Sequence, residues 1–132
     1  MKANLNDIAD CRKSKWENDE IVFDKDEALG INANEEEFLK ELAEMFIDGL
    51  PEQLSSIKEA VQRRDNNALE KSAHKLKGAV ANFGNNSMFK VALSLEMMGR
   101  ENRLEDVVEA YGALTREATR LVNALRNFIK SK

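Results

Sequence analysis

The chain has 132 residues, a formal net charge of −4 and charged side chains at 33% of positions, which suits one acidic domain and weighs against nucleic acid as a partner. One proline, six glycines and few aromatics favour helices over a sheet, and no sustained alternation of β-branched residues marks a strand. No apolar run approaches the length of a membrane span, and a single cysteine, Cys11, excludes an internal disulfide framework or a Cys-rich metal site. These features favour the cytoplasm.

Residues 1–21 are polar and weakly patterned, with Cys11 and Trp16 set among charged neighbours. They read as a linker or flexible segment, with a short helix over 5–12 as the alternative, and not as a signal peptide. The domain is expected to occupy residues 22–132. It begins with a short capping helix over about 24–29, with Asp24 at its start and Gly30 at its end.

Asn34 is a candidate N-cap for the next helix, and Glu35, Glu36 and Glu37 suit its positive end. The apolar stripe Phe38, Leu42, Met45 with Phe46, Gly49 with Leu50, Leu54, Ile57 and Val61 runs straight through Pro51. Proline removes one backbone donor and crowds the preceding turn. The unbroken stripe nevertheless predicts one kinked helix over about 35–64 rather than two.

Asp65, Asn66 and Asn67 make a turn, and a third helix follows over about 67–83, with Gly84 in the left-handed position after it. Its buried stripe is Leu69, Ala73, Leu76, Val80 and Phe83. At about 100° per residue, His74 lies roughly 140° from the centre of that stripe and should face water. Lys71 lies one turn back, Lys77 three residues on, Gly78 one turn on and Ala81 about two turns on.

The only histidine of the chain thus stands on a bare patch with ammonium groups beside it. Gly within a helix costs about 1 kcal/mol relative to Ala, and Gly78 points away from the core, so close approach of another molecule is its natural explanation. Near neutral pH an exposed imidazole keeps an uncharged ring nitrogen able to attack an electrophile. Two lysines could balance the charge of a transferred phosphoryl group.

Asn85 or Asn86 starts the fourth helix, with Met88, Val91, Ala92, Leu95 and Met98 inward and an end near Gly99. The methionines suit gap-filling in a core. The fifth helix starts near Leu104 and carries Val107 with Val108, Tyr111, Leu114, Ala118, Leu121, Leu125 and Phe128, close to three heptads. The predicted fold class is all-α: an antiparallel up-and-down four-helix bundle with a short N-terminal capping helix.

His74-Lys75-Leu76-Lys77-Gly78, with Gly84 six residues further on, resembles the signature of the histidine phosphotransfer (HPt) domain, H-x-L-K-G followed by five residues and G. Phe46 with Pro51 downstream, Ala73, Asn82-Phe83-Gly84 and Leu95-Glu96 match the family's layout, over roughly residues 22–129. The likeness is strongest to HPt domains at the C-terminal ends of bacterial hybrid sensor kinases.

The resemblance implies a phosphoryl carrier of a two-component phosphorelay, not a kinase in its own right. His74 would take a phosphoryl group from a receiver-domain aspartate and pass it to another receiver aspartate. Lys77 would neutralise phosphoryl oxygens, and Lys71, Gly78 and Ala81 would serve receiver docking. No cofactor or metal is implied in this chain; Mg²⁺ is expected in the receiver. The partners are receiver domains, with no nucleic acid and no membrane contact, and the chain is expected to be a monomer.

Other chemistries fit less well. No Gly-rich phosphate loop follows a strand, so no nucleotide site is expected. One histidine and one cysteine would leave a zinc site of common ligand type to carboxylates. A Ser-His-Asp arrangement needs a buried partner that an exposed, helix-borne histidine is expected to lack. Two alternatives remain: a non-catalytic helical-bundle interaction module, and a kinase dimerisation-and-histidine domain. In the latter an acidic residue follows the histidine, whereas here Lys75 does.

Overall fold

A computed structural model describes residues 22–84 and 86–131, and the readings of Cys11, Trp16 and a helix over 5–12 lie outside these residues. The elements are α1 (Lys25–Ile31), α2 (Glu36–Arg63), α3 (Asn66–Val80), a 3₁₀ turn (Ala81–Phe83), α4 (Ser87–Arg100) and α5 (Val107–Lys130). Each of the four long helices packs against two others in a closed ring: α2 on α3 and α5, and α4 on α3 and α5. Short links between successive helices make neighbours antiparallel. The predicted bundle is therefore the fold, with α1 lying against α2 and the 3₁₀ turn. Among the described residues, no helix is long and apolar enough to cross a membrane.

Local chemistry sets the helix boundaries. The Asp24 side chain accepts from the Glu27 amide, Asp65 from Ala68 and Asn86 from Phe89, so α1, α3 and α4 each start on an Asp or Asn cap. α2 departs from expectation. Ala33 and Asn34 both adopt left-handed φ, which turns Asn34 out of capping geometry, and Glu35 is the N-cap without a side-chain bond. Glu36 and Glu37 still face the positive end of the helix. Gly30 does not end α1, which runs on to Ile31 and is closed by Asn32.

Pro51 sits inside a continuous α2. Its missing N–H would have bonded the Ile47 carbonyl, and the apolar contacts on both sides outweigh that loss. α3 tightens into the 3₁₀ turn after Val80, and Gly84 then takes φ +95°. The positive φ is what requires glycine there; a Cβ would stand 2.6 Å from Glu27 Oε1, the movable end of a side chain.

The core is built mainly of Leu, Ala and Val, with Phe46, Phe83, Phe23 and Phe128 in successive ring contact. On α2 the buried stripe keeps the expected Phe46, Leu50, Ile57 and Val61 and departs from the expected line in the first turns. Leu39, Ala43, Phe46, Leu50, Ile57, Ala60 and Val61 are buried, whereas Phe38 and Met45 are exposed. On α5, Val108 is exposed, Leu104 precedes the helix, and the buried stripe includes Ala110, Ala113 and Glu117.

Candidate functional site

His74 stands on the outer face of α3 with 68% of its side chain exposed, as its angular position predicts. It is not alone there. Its Nδ1 lies 2.9 Å from Oε2 of Glu96 on α4, a carboxylate whose side chain is only 2% exposed. The expectation that His74 lacks a buried acidic partner is thus corrected: α4 packs so closely on α3 that a carboxylate reaches the imidazole from beneath. Lys77, also on α3, places its Nζ 2.8 Å from Glu96 Oε1, and Arg100 donates from Nη2 to Oε2 at 2.9 Å. Arg100 also donates from Nε to Glu70 Oε2 at 2.9 Å.

A carboxylate this buried needs compensating partners. Burial pushes the Glu96 carboxyl up. Hydrogen bonds from Lys77 and His74, with the attraction of their charges, outweigh burial and hold it below the ordinary carboxyl range. Glu96 is therefore an anion at neutral pH and only accepts hydrogen bonds. It follows that the proton of neutral His74 sits on Nδ1. Nε2 keeps its lone pair on the solvent side, a nucleophile oriented by the carboxylate behind it.

The close α3–α4 approach has a visible cause. Gly99 faces the α3 backbone, and a Cβ there would fall 2.7 Å from the Glu70 amide nitrogen and 2.8 Å from the Asn66 carbonyl oxygen. Gly78 is the opposite case, since a Cβ at that position meets nothing within 4 Å. Its bareness serves no contact within the described residues. Lys71 and Gly78 on α3 and Ala81 in the 3₁₀ turn are all exposed. An open groove beside the imidazole is walled by Glu70, Lys71, His74, Glu96 and Arg100. Among the described residues no cluster of three or more His, Cys, Asp or Glu side chains could hold a metal ion.

Glu96, Arg100 and Glu70 were absent from the expected site. Glu96 follows Leu95 in the α4 stripe with Arg100 four residues on. That spacing announces a helix ion pair but not which neighbouring helix it faces.

An exposed imidazole held by a buried carboxylate on a four-helix bundle, with cations around it, is an arrangement suited to carrying a phosphoryl group. Residues 41–126 match the Hpt domain family, and the chain belongs to that family. It is a histidine phosphotransfer domain of a phosphorelay, and its partners are receiver domains. No curated protein sequence matches the chain.

Two solved structures share the fold. Histidine-containing phosphotransfer protein B (HptB) from Pseudomonas aeruginosa PAO1 superposes with a TM-score of 0.75 at 22% identity, over 82% of this chain and 94% of that one. The HPT domain of a sensor hybrid histidine kinase from Shewanella gives 0.72 at 22% identity, over 80% and 92%.

Proposed function

We propose that His74 is the phosphorylation site and that Nε2 is its accepting atom. The Nε2 lone pair attacks the phosphorus of a receiver aspartyl phosphate. The P–N bond forms, the P–O bond breaks, and the electron pair leaves on the aspartate carboxylate. The ring keeps its proton on Nδ1 and carries positive charge, which Glu96 Oε2 stabilises. The reverse step delivers the group to another receiver aspartate. One observation carries this reading: a buried, ionised carboxylate 2.9 Å from Nδ1, which leaves Nε2 free on the outer face.

The chain acts as a carrier without autokinase activity, and catalysis is mostly positioning and charge balance. Lys77 starts on Glu96 and neutralises phosphoryl oxygens as charge arrives. Lys71, Gly78 and Ala81 form the receiver-facing surface. The acidic pocket and its Mg²⁺ belong to the receiver. Residues 22–132 are the functional unit, monomeric and cytoplasmic.

Glu96→Gln tests the orientation of the ring. The amide cannot hold Nδ1–H as an anion does, and phosphoryl uptake should fall roughly tenfold to a hundredfold, the range of a charge-assisted hydrogen bond. A wild-type rate in single-turnover transfer would remove Glu96 from the mechanism. The sign of its pH effect is also set. The Glu96 carboxyl is held below its unfolded value, so its stabilisation is present above the ordinary glutamate range and is lost as pH falls through the folded value. Acid unfolding of Glu96→Gln should therefore be less steep than that of the wild type.

Gly78 separates docking from folding. With open space around its Cβ, Gly78→Ala should raise stability by up to about 1 kcal/mol through helix propensity. Gly78→Val should stay folded and lose receiver binding. Unchanged receiver affinity for folded Gly78→Val, measured by titration calorimetry, would show that the bare patch is not the docking surface.

A further inference from the structure

Two cations touch the Glu96 carboxylate, and they differ in what they have left to give. Lys77 is 23% exposed, lies 2.8 Å from Oε1 and is not among the walls of the groove beside His74. Arg100 is 52% exposed and does line that groove. A guanidinium carries five N–H donors in a fixed fork. Arg100 uses Nε on Glu70 and one Nη2 donor on Glu96, while Nη1 meets only the Met97 thioether at 3.7 Å, a weak acceptor. The imidazole and the guanidinium stand side by side on one oxygen, each 2.9 Å from Glu96 Oε2.

We infer that Arg100 is a binding residue for the phosphoryl group on His74, using its spare Nη donors to hold phosphoryl oxygens across the groove. The inference rests on the reading that His74 carries the group. Glu70 and Glu96 act as two anchors that keep the guanidinium at the rim in the unloaded state, so little reorganisation is needed when the dianion arrives. Arg100 gives and takes no proton: the P–N bond forms at Nε2, the donor's bond to phosphorus breaks, and the guanidinium supplies charge and hydrogen bonds alone. The charged groups walling the groove are Glu70 and Lys71 from α3 and Glu96 and Arg100 from α4, with Lys77 on the other oxygen of Glu96 and with Lys75 of α3 and Glu52 of α2 beyond Lys71 in the adjoining groove.

The test uses the full chain as wild type, Arg100→Met and Arg100→Lys. Each is loaded either from a phosphorylated receiver or with phosphoramidate, which passes its phosphoryl group to imidazole as ammonia leaves. Arg100→Met should move the exchange equilibrium with the receiver about tenfold away from the phosphorylated domain, the low end for a charge-assisted hydrogen bond in a half-exposed site. In ³¹P NMR its phosphoryl should titrate at higher pH by about half a unit or more, because a lost cation disfavours the dianion. A role limited to anchoring Glu96 would leave that titration in place. Arg100→Lys keeps a charge but loses the fork, and should fall between the two.

An unmoved equilibrium and an unmoved ³¹P titration in folded Arg100→Met overturn the inference. If Arg100→Met loses helicity, Arg100→Lys decides on the same two readouts, and no shift there overturns it. Wild type that takes phosphate from phosphoramidate but from no active receiver would instead overturn the carrier reading, while the ³¹P comparison still judges Arg100.

Discussion

His74→Gln is expected to abolish acid-labile phosphate on the chain and to leave the bundle folded. Removing the only nucleophile of a transfer step costs on the order of a thousandfold or more, and no second histidine exists to take its place. The stability cost is small because the side chain is largely exposed and contributes one of several contacts to Glu96, which keeps Lys77 and Arg100. Incubation with a phosphorylated receiver, followed by intact-mass measurement before and after acid treatment, reads the result. The wild type gains one labile phosphate. The variant gains none and keeps its far-ultraviolet circular dichroism. A labile phosphate retained by His74→Gln would place the acceptor elsewhere and remove the basis of the mechanism.

Gly99→Val is the largest expected effect on stability, and it also reaches the site. The added Cβ would press on α3 backbone at Glu70 and Asn66, where no side chain can swing aside. The helices must part, at a cost of about 3 kcal/mol, near the upper range for overpacking. A chain of this size would lose on the order of 10 °C in Tm.

Gly99→Ala carries the same Cβ and should cost about 1–2 kcal/mol after its gain in helix propensity. The contacts from Glu70 through Arg100 and Glu96 to His74 cross that same helix pair, so Gly99→Ala should slow phosphoryl uptake more than its stability loss explains. Thermal unfolding and single-turnover transfer on the same sample check both parts. A Tm equal to wild type in Gly99→Ala would mean that α3 and α4 do not approach as closely as described. Gly78→Ala is the internal control: the same chemical change one turn beyond His74 meets open space and should raise Tm.

Much of this was visible in residue order. Stripes at three- and four-residue spacing announced four long helices, and the stripe running through Pro51 showed that α2 does not break there. Asp24 marked a helix start, Gly84 the corner after the His74 helix, and the angle of His74 from its stripe placed it in water. These features depend on contacts within a few residues, and spacing along one helix is enough to read them. The family motif rests on the same kind of local pattern, and residues 41–126 match that family.

What residue order could not show lies between helices. The first turns of α2 bury Leu39 and Ala43 and leave Phe38 and Met45 outside, although Phe46, Leu50, Ile57 and Val61 lie inward as their spacing predicts. Asn34 is no cap because it and Ala33 take left-handed geometry. Above all, Glu96 is 22 positions from His74 in the chain and 2.9 Å from it in space. A glutamate is ordinarily exposed, yet this one is buried. Gly99 lets α4 settle onto α3, and that approach brings Lys77, Arg100 and His74 together around one carboxylate. Periodicity fixes which way a side chain leaves its own helix. The register and separation of two helices, which decide what it meets there, follow from side-chain volumes on both.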